Sequence, residues 1–463
     1  MNLGVVAIAR PTFDVPFAQA MADEARRTLE SGDATVSGSH GLLMDVDAID
    51  AAISGLPDTI DALVVLQATF ADSTLIERVA ASSAPIILWA FPEERTGGRL
   101  RLNSLCGINL GGHALTDLER SYGWIYRGPD DPAALDDLAA ALVDRRLPPI
   151  APPPSMDRFT PESVDLATAA RDHLADATIG RIGDHPDGFG PCSYDAQVVA
   201  DVFGTRVDAI PLPLLFERSD AADDALVASA AERAGEALTG LDTVDQGALD
   251  RSLRLNVGLR SLVDERDWAG VAMRCWPETF TEFGGAACTP MSLLNDVSVV
   301  GTCEADVYGD LTGLAMQWLA GSASFVADLV HLDRATDTGV FWHCGLAPFE
   351  MADPLFTPTA TVHSNRKLPL LSEFPLKPGR VTLARFSRSR GVHRLIVGGG
   401  TMVAAPPSFS GTSGVVQFDR SVEDVLATVM GEGLDHHFGI AYGDIREPLE
   451  ALAALLSMPV VQL

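Results

Sequence analysis

The sequence predicts an α/β protein: two α/β domains followed by a β-rich C-terminal domain. Three observations predict it. Short apolar runs alternate with amphipathic stretches in the first third, a proline-rich break separates this from a second alternation of the same kind, and after Leu332 the apolar residues change to a period of two. A chain of 463 residues is too long for one core, and at about 150 residues per domain three are expected.

The first domain, 1–152, opens with LGVVAIA and continues through FAQAMADEARRTLE, DAIDAAISGL, DALVVLQATF, STLIERVAASS and APIILWAF. Buried strands alternating with helical patterns indicate a parallel sheet flanked by helices. Its working surface is expected at the carboxyl ends of strands, where ARPTFD and FPEERTGGR stand. LPPIAPPPSMDRF has the composition of a linker. The second domain, 153–332, again reads strand, Gly-rich loop, helix, strand. Its loop GDHPDGFG is neither GxGxxG nor a P-loop, so it is read as a turn that uses glycine's freedom at positive φ. The third domain, 333–463, has short alternating runs such as TGVFWHCG, GRVTLARFSRS and GVVQF, which suggest antiparallel strands in a barrel or sandwich.

The formal charge of -30 repels a polyphosphate backbone, which argues against nucleic acid as a partner. The only lysines, Lys367 and Lys377, restrict Schiff-base chemistry. Six scattered cysteines without CxxC spacing fit reduced thiols in a cytosol. The N-terminus lacks the pattern of a signal peptide, and no apolar stretch reaches about 18 residues. A cytoplasmic protein without membrane contact is expected.

The stretch CEADVYG, Cys303 to Gly309, carries the most informative chemistry. On a strand, Glu304 and Asp306 would project from one face. Two like charges that close need compensation, and a divalent cation supplies it. The alternative is that one of the pair caps the following helix. Glu278 follows the apolar strand WAGVAM, His343 stands in FWHCG and His437 in DHHFG. On a strand, His436 and His437 would face opposite sides, so at most one would enter a given site. Acid, acid and histidine form an oxygen-and-imidazole set suited to Mn²⁺ or a similar open-site metal.

Four segments resemble the L-fucose isomerase and L-arabinose isomerase superfamily, in the same order along nearly the whole chain. They are IARPTFD (Ile8 to Asp14), GDHPDGFGPCSYD, EADVYGDLTGLAMQWLAGSASFVADL and HHFGIAYGDIREPLEALAALLSMPV. The third is similar to the END…LTG…FAD segment of fucose isomerases and to the EGD of arabinose isomerases. The resemblance implies a Rossmann-like first domain, a second α/β domain and a C-terminal antiparallel β-barrel. It also implies Mn²⁺ (or Mg²⁺ or Co²⁺) and a homo-oligomer, a trimer or hexamer with active sites between subunits.

Residue by residue, the resemblance makes His437 the metal histidine and Glu278 the first acidic ligand, with Glu282 as a rival. The second acidic ligand is Asp306 in the fucose pattern, which the C-terminus favours, or Glu304 in the arabinose pattern, where His343 is also a ligand. Arg10 resembles an arginine that reaches substrate from a neighbouring subunit, with His343 and Tyr308 on the substrate side. The implied activity is metal-dependent aldose–ketose isomerisation of an open-chain sugar through a cis-enediolate. Glu278 would remove the proton, Asp306 would assist, and no organic cofactor is needed. An alternative is the same chemistry on an acidic sugar derivative held by arginines such as Arg10, Arg95, Arg99 or Arg366. Another is a sugar-binding regulator without turnover.

Overall fold

The computed structural model describes the backbone of residues 1–463 and every side chain but those of Asp296 and Val297. The first sheet contains β1 (Asn2–Ile8), β2 (Thr35–Ser37), β3 (Leu42–Leu43), β4 (Ala62–Gln67), β5 (Ile86–Ala90) and β6 (Tyr122–Tyr126). Its order is β2-β1-β4-β5-β6, with β3 beside the end of β1, and every pairing is parallel. The apolar runs explain this, because β4 and β5 are buried at every residue, as strands covered on both faces must be. Strand order reverses between β1 and β4, which opens a crevice at their carboxyl ends. There the Asp14 side chain accepts from the Phe17 backbone N–H at 3.2 Å and starts the helix Val15–Ser31. Arg10 is thereby fixed in a short loop.

Residues 144–155 have no regular secondary structure, as the proline-rich composition predicts. The second sheet contains β7 (Thr178–Ile182), β8 (Arg206–Ile210), β9 (Gly270–Met273) and β10 (Val300–Thr302), all parallel in the order β10-β9-β7-β8. The Gly-rich loop after β7 docks on the first domain, where Ser73 Oγ donates to Gly188 O at 2.6 Å. Gly188 has φ +75°, and an added Cβ would lie 2.8 Å from Asp72 Cβ, so only glycine fits this contact.

The third sheet is formed by β11 (Ser324–Asp333), β12 (Thr338–His343), β13 (Thr359–Thr361), β14 (Leu371–Pro375), β15 (Gly379–Ser389), β16 (Val392–Val403), β17 (Thr412–Phe418), β18 (His437–Tyr442) and β19 (Val460–Gln462). β11 joins it from Ser324, ahead of residue 333. The strands β11, β12, β17, β16, β15 and β18 pair antiparallel in a ring that the β16–β17 ladder closes. This is an antiparallel β-barrel. Among the described residues no helix is long and apolar enough to cross a membrane.

Two local expectations fail. Cys275 and Cys303 form a disulfide, although scattered cysteines predict free thiols. The parallel neighbours β9 and β10 end side by side and bring the two Cα atoms to 5.7 Å. CEADVYG is not a strand either. β10 stops at Thr302, Glu304 and Ala305 take φ of 62° and 55°, and Asp306 caps the helix Val307–Ala320 by accepting from the Gly309 N–H at 2.9 Å. Capping, the alternative drawn from the sequence, describes Asp306.

Candidate active site

The carboxyl ends of the two parallel sheets and the barrel strands β11, β12 and β18 meet around one buried group. Cys192, Glu304, His436 and His437 each offer a donor atom within 4.8 Å of the others. Glu304 Oε1 accepts from Trp276 Nε1–H at 3.1 Å, Oε2 lies 3.0 Å from His436 Nε2, and His437 Nε2 is 3.8 Å from Oε2. Burial alone would raise the Glu304 pKa. The His436 hydrogen bond, followed by the charges of His436, His437 and His343, reverses this and holds it below the ordinary value.

His436 and His437 both enter the site. Strand alternation does not separate them because β18 begins at His437 and His436 lies in the preceding loop. His437 Nδ1 is 2.8 Å from Asp306 Oδ2. A carboxylate can only accept, so Nδ1 carries the proton and Nε2 presents a lone pair towards Glu304. Asp306 is fully buried and its oxygens are all engaged. Besides the His437 and Gly309 contacts, it receives Arg385 Nη1 at 2.6 Å and Nη2 at 3.0 Å. Burial favours its neutral form, yet the Arg385 charge and the His437 hydrogen bond hold it well below the usual carboxylate range. Arg385 also donates Nε–H to Asp435 at 3.1 Å, and Asp435 is 3.2 Å from His113 Nε2. Asp306 therefore stands behind His437, fixing its tautomer as partners of metal-bound histidines do.

The donor set fits a divalent cation. A buried carboxylate and two imidazoles converge without a lysine or arginine among them, and His436 Nδ1 is a buried nitrogen with no hydrogen-bond partner. Oxygen and imidazole donors suit Mn²⁺ and its neighbours. The thiol of Cys192 is pushed well up by burial and by the charges of Asp306 and Glu304.

Beside this group lies a cavity of about 80 Å³, with Arg10, Arg366, Glu304, Asp328 and His343 in its wall. The Arg10 guanidinium is 4.4 Å and that of Arg366 5.2 Å from the Trp276 ring centroid. Both pKa values are lowered, first by burial. The Arg10 loop lines the cavity of its own chain. His343 shares the wall, its ring centroid 5.9 Å from that of His437.

Other candidates lie elsewhere. Glu278 is ion-paired with Arg274 at 2.8 Å and is not brought into the donor group. Glu282 is exposed. Tyr308 turns into the apolar core from the first turn of its helix, packs against Phe203 and lies 2.8 Å from His393 Nε2, so it is not part of the cavity wall. Arg95 is held by Asp333 at 3.0 Å, and Arg99 braces Asn365 at 2.5 Å.

The sequence reading omits Cys192, Trp276, Asp328 and Arg385. Two of them carry a signal. Asp328 interrupts the apolar strand SFVADLVHLD and Arg385 the strand GRVTLARFSRS, and a charge inside a buried strand needs a partner.

Comparison with known proteins finds relatives along the whole chain. The model of the L-fucose isomerase C-terminal domain matches residues 373–463. A sulfoquinovose isomerase of Alkalicoccus urumqiensis is 30% identical over 458 residues, 98% of this chain and 98% of the relative. The chain belongs to the L-fucose isomerase/sulfoquinovose isomerase superfamily. Sulfoquinovose isomerases of Priestia aryabhattai (28% over 456 residues, 98% of this chain and 97% of the relative) and of Clostridium sp. strain MSTE9 (28% over 463 residues, 99% and 98%) are similar along the same length. The chain is an isomerase of the fucose/arabinose-isomerase type, a metal-associated aldose–ketose isomerase.

Proposed function

We propose that the protein isomerises an acidic aldose, sulfoquinovose or a close sulfonated analogue, to its 2-ketose. One observation carries the choice of an anion over a neutral sugar: Arg10 and Arg366 flank Trp276 in the cavity beside Glu304, and neither guanidinium has an ion-pair partner among the described residues. Arginines in a carboxylate-rich protein normally pair, and two left facing a cavity suit a sulfonate, whose oxygens accept from a guanidinium fork. The names of the relatives point to the same substrate.

In this reading Glu304, His436 and His437 would hold a divalent ion, Mn²⁺ by preference, which would supply Lewis acidity towards the sugar oxygens. Trp276 fixes the Glu304 carboxylate and Asp306 fixes His437. His343 meets sugar hydroxyls from the barrel side. Phe70 lines the cavity and is backed by Phe189, with ring centroids 5.7 Å apart, an apolar wall that limits water there. A homo-oligomer, trimer or hexamer, belongs to the same proposal and is read by light scattering.

The test uses dialysed enzyme reconstituted with Mn²⁺ and offered sulfoquinovose, its neutral 6-deoxy counterpart and glucose, with products identified by NMR. Conversion of the sulfonated aldose to its 2-ketose in clear preference to both neutral sugars is expected. Preference for a neutral sugar would remove the acidic-substrate reading.

A further inference from the structure

The stretch FPEERTGGR after β5 stands out in the sequence, yet it supplies no side chain to the donor group or to the pair of arginines on Trp276. It is nevertheless fastened at two points. Buried Glu93 accepts from the backbone N–H groups of Arg101 and Leu102, each at 2.6 Å, and of Asn103 at 3.0 Å, which closes the loop on itself. Gly97 N–H donates to Ser408 O at 3.0 Å and Ser410 N–H to Gly98 O at 2.8 Å, so the loop is also docked on the segment that leads into β17. Arg95 is held by Asp333 at 3.0 Å. Arg99, half-buried between the two anchors, points its fork elsewhere.

We propose that Arg99 is a positioning residue that locks the Arg10 and Arg366 loops together and so presets the two guanidiniums for the sulfonate. This rests on the acidic-substrate reading and deepens it. Arg99 Nε–H donates to Asn365 Oδ1 at 2.5 Å and Nη2–H to the Thr12 carbonyl at 3.1 Å. One acceptor lies next to Arg366 and the other two residues from Arg10. Each belongs to a loop that moves as a unit. Phe13 N–H donates to Arg10 O at 3.2 Å and Arg10 N–H to Thr69 Oγ1 at 2.8 Å. On the other side, His363 Nδ1 accepts from the backbone N–H of Asn365 at 3.2 Å and of Arg366 at 3.3 Å, and His363 N–H donates to Leu368 O at 2.9 Å. A shift of Asn365 therefore carries Arg366 with it.

The two loops need a lock because their cations share one ring. Arg10 and Arg366 lie 4.4 Å and 5.2 Å from the Trp276 centroid, and like charges at such a site repel. The Arg366 pKa is lowered first by burial and then by the Arg10 charge. Arg99 offsets that repulsion before the anion arrives, by binding two neutral oxygens on opposite loops from a rigid base. A planar fork with fixed donors suits the task, whereas a lysine is a point donor on a flexible stem.

The test measures ketose formation by wild type, Arg99→Met, Arg366→Met and the double variant, each reconstituted with Mn²⁺, from sulfoquinovose and its neutral 6-deoxy counterpart. The neutral sugar is read as a substrate or, where its turnover is too slow, as a competitive inhibitor. Arg99→Met should lower kcat/KM for sulfoquinovose by about tenfold or more, up to the roughly 10²-fold that a 1 Å misplacement costs. The neutral sugar should change by less than about threefold, and in the Arg366→Met background the loss on sulfoquinovose should shrink by at least about threefold. Arg99→Lys keeps the charge without holding both acceptors and should still lose at least about threefold on sulfoquinovose; it carries the test where the Met variant does not fold. Wild-type kcat/KM on sulfoquinovose in either single variant, equal losses on both sugars, or full additivity with Arg366→Met overturns the role. A wild type that converts only neutral aldoses ends the acidic-substrate reading and this role with it. A wild type that prefers sulfoquinovose beside an unselective Arg99→Met overturns this role alone.

Discussion

Replacing Arg366 by Met separates recognition of the anion from recognition of the sugar. The methionine stem keeps much of the packing of the arginine, which lies 5.2 Å from the Trp276 centroid and 5.3 Å from that of Phe280, and removes only the charged fork. A hydrogen bond to a charged group contributes about 1.5–3 kcal/mol, which corresponds to roughly 10- to 150-fold in kcat/KM. Arg10, 4.4 Å from the same ring, still faces the sulfonate, so the loss should stay within that range. The assay is ketose formation from sulfoquinovose and from its neutral 6-deoxy counterpart, giving a cycle in which the guanidinium and the sulfonate are each removed. The neutral sugar should change by no more than about threefold, since it never contacts the guanidinium. Equal losses on both sugars, or a loss below about threefold on the sulfonate, would refute the pairing.

Three further outcomes follow from the same site and its supports. Dialysis against a chelator should abolish turnover and Mn²⁺ should restore it in wild type, whereas Glu304→Gln should bind Mn²⁺ at least tenfold more weakly by titration, in line with removal of an anionic oxygen donor. Arg385→Met leaves Asp306 and Asp435, both fully buried, without their cation and should cost about 3–5 kcal/mol, read as a lowered urea midpoint. His331 is depressed to about 4 by burial and then by Arg95, from an ordinary value of 6.5. Unfolding therefore takes up a proton between those values. The stability it supports is complete above pH 6.5 and falls by about 3 kcal/mol as pH drops towards 4; melting curves of His331→Gln should lack that component.

Elements set by local pattern were legible in the sequence. The runs LGVVAIA and DALVVLQATF became parallel strands because nothing but burial on both faces suits them, and the period-two segments after Leu332 became barrel strands. The site was legible as a list of residue types and less so as a geometry. Glu304 and Asp306 reach their places through two positive-φ residues that no strand pattern signals. His436 counts as a donor only because β18 starts one residue later. Partnerships across the chain, Arg385 with Asp306 or Cys275 with Cys303, depend on which strands become neighbours. A single sequence does not state that.

Three separate folding units contribute to the cavity and the donor group beside it. Arg10 extends from the N-terminal sheet and Arg366 from a loop between β13 and β14, while Glu304 and His437 belong to the second sheet and to the barrel. The proposed grip on a sulfonate and the proposed grip on an ion are thus anchored in different places. A lineage can retune which sugar it accepts by altering two surface-proximal loops, leaving untouched the side chains on which proton transfer depends.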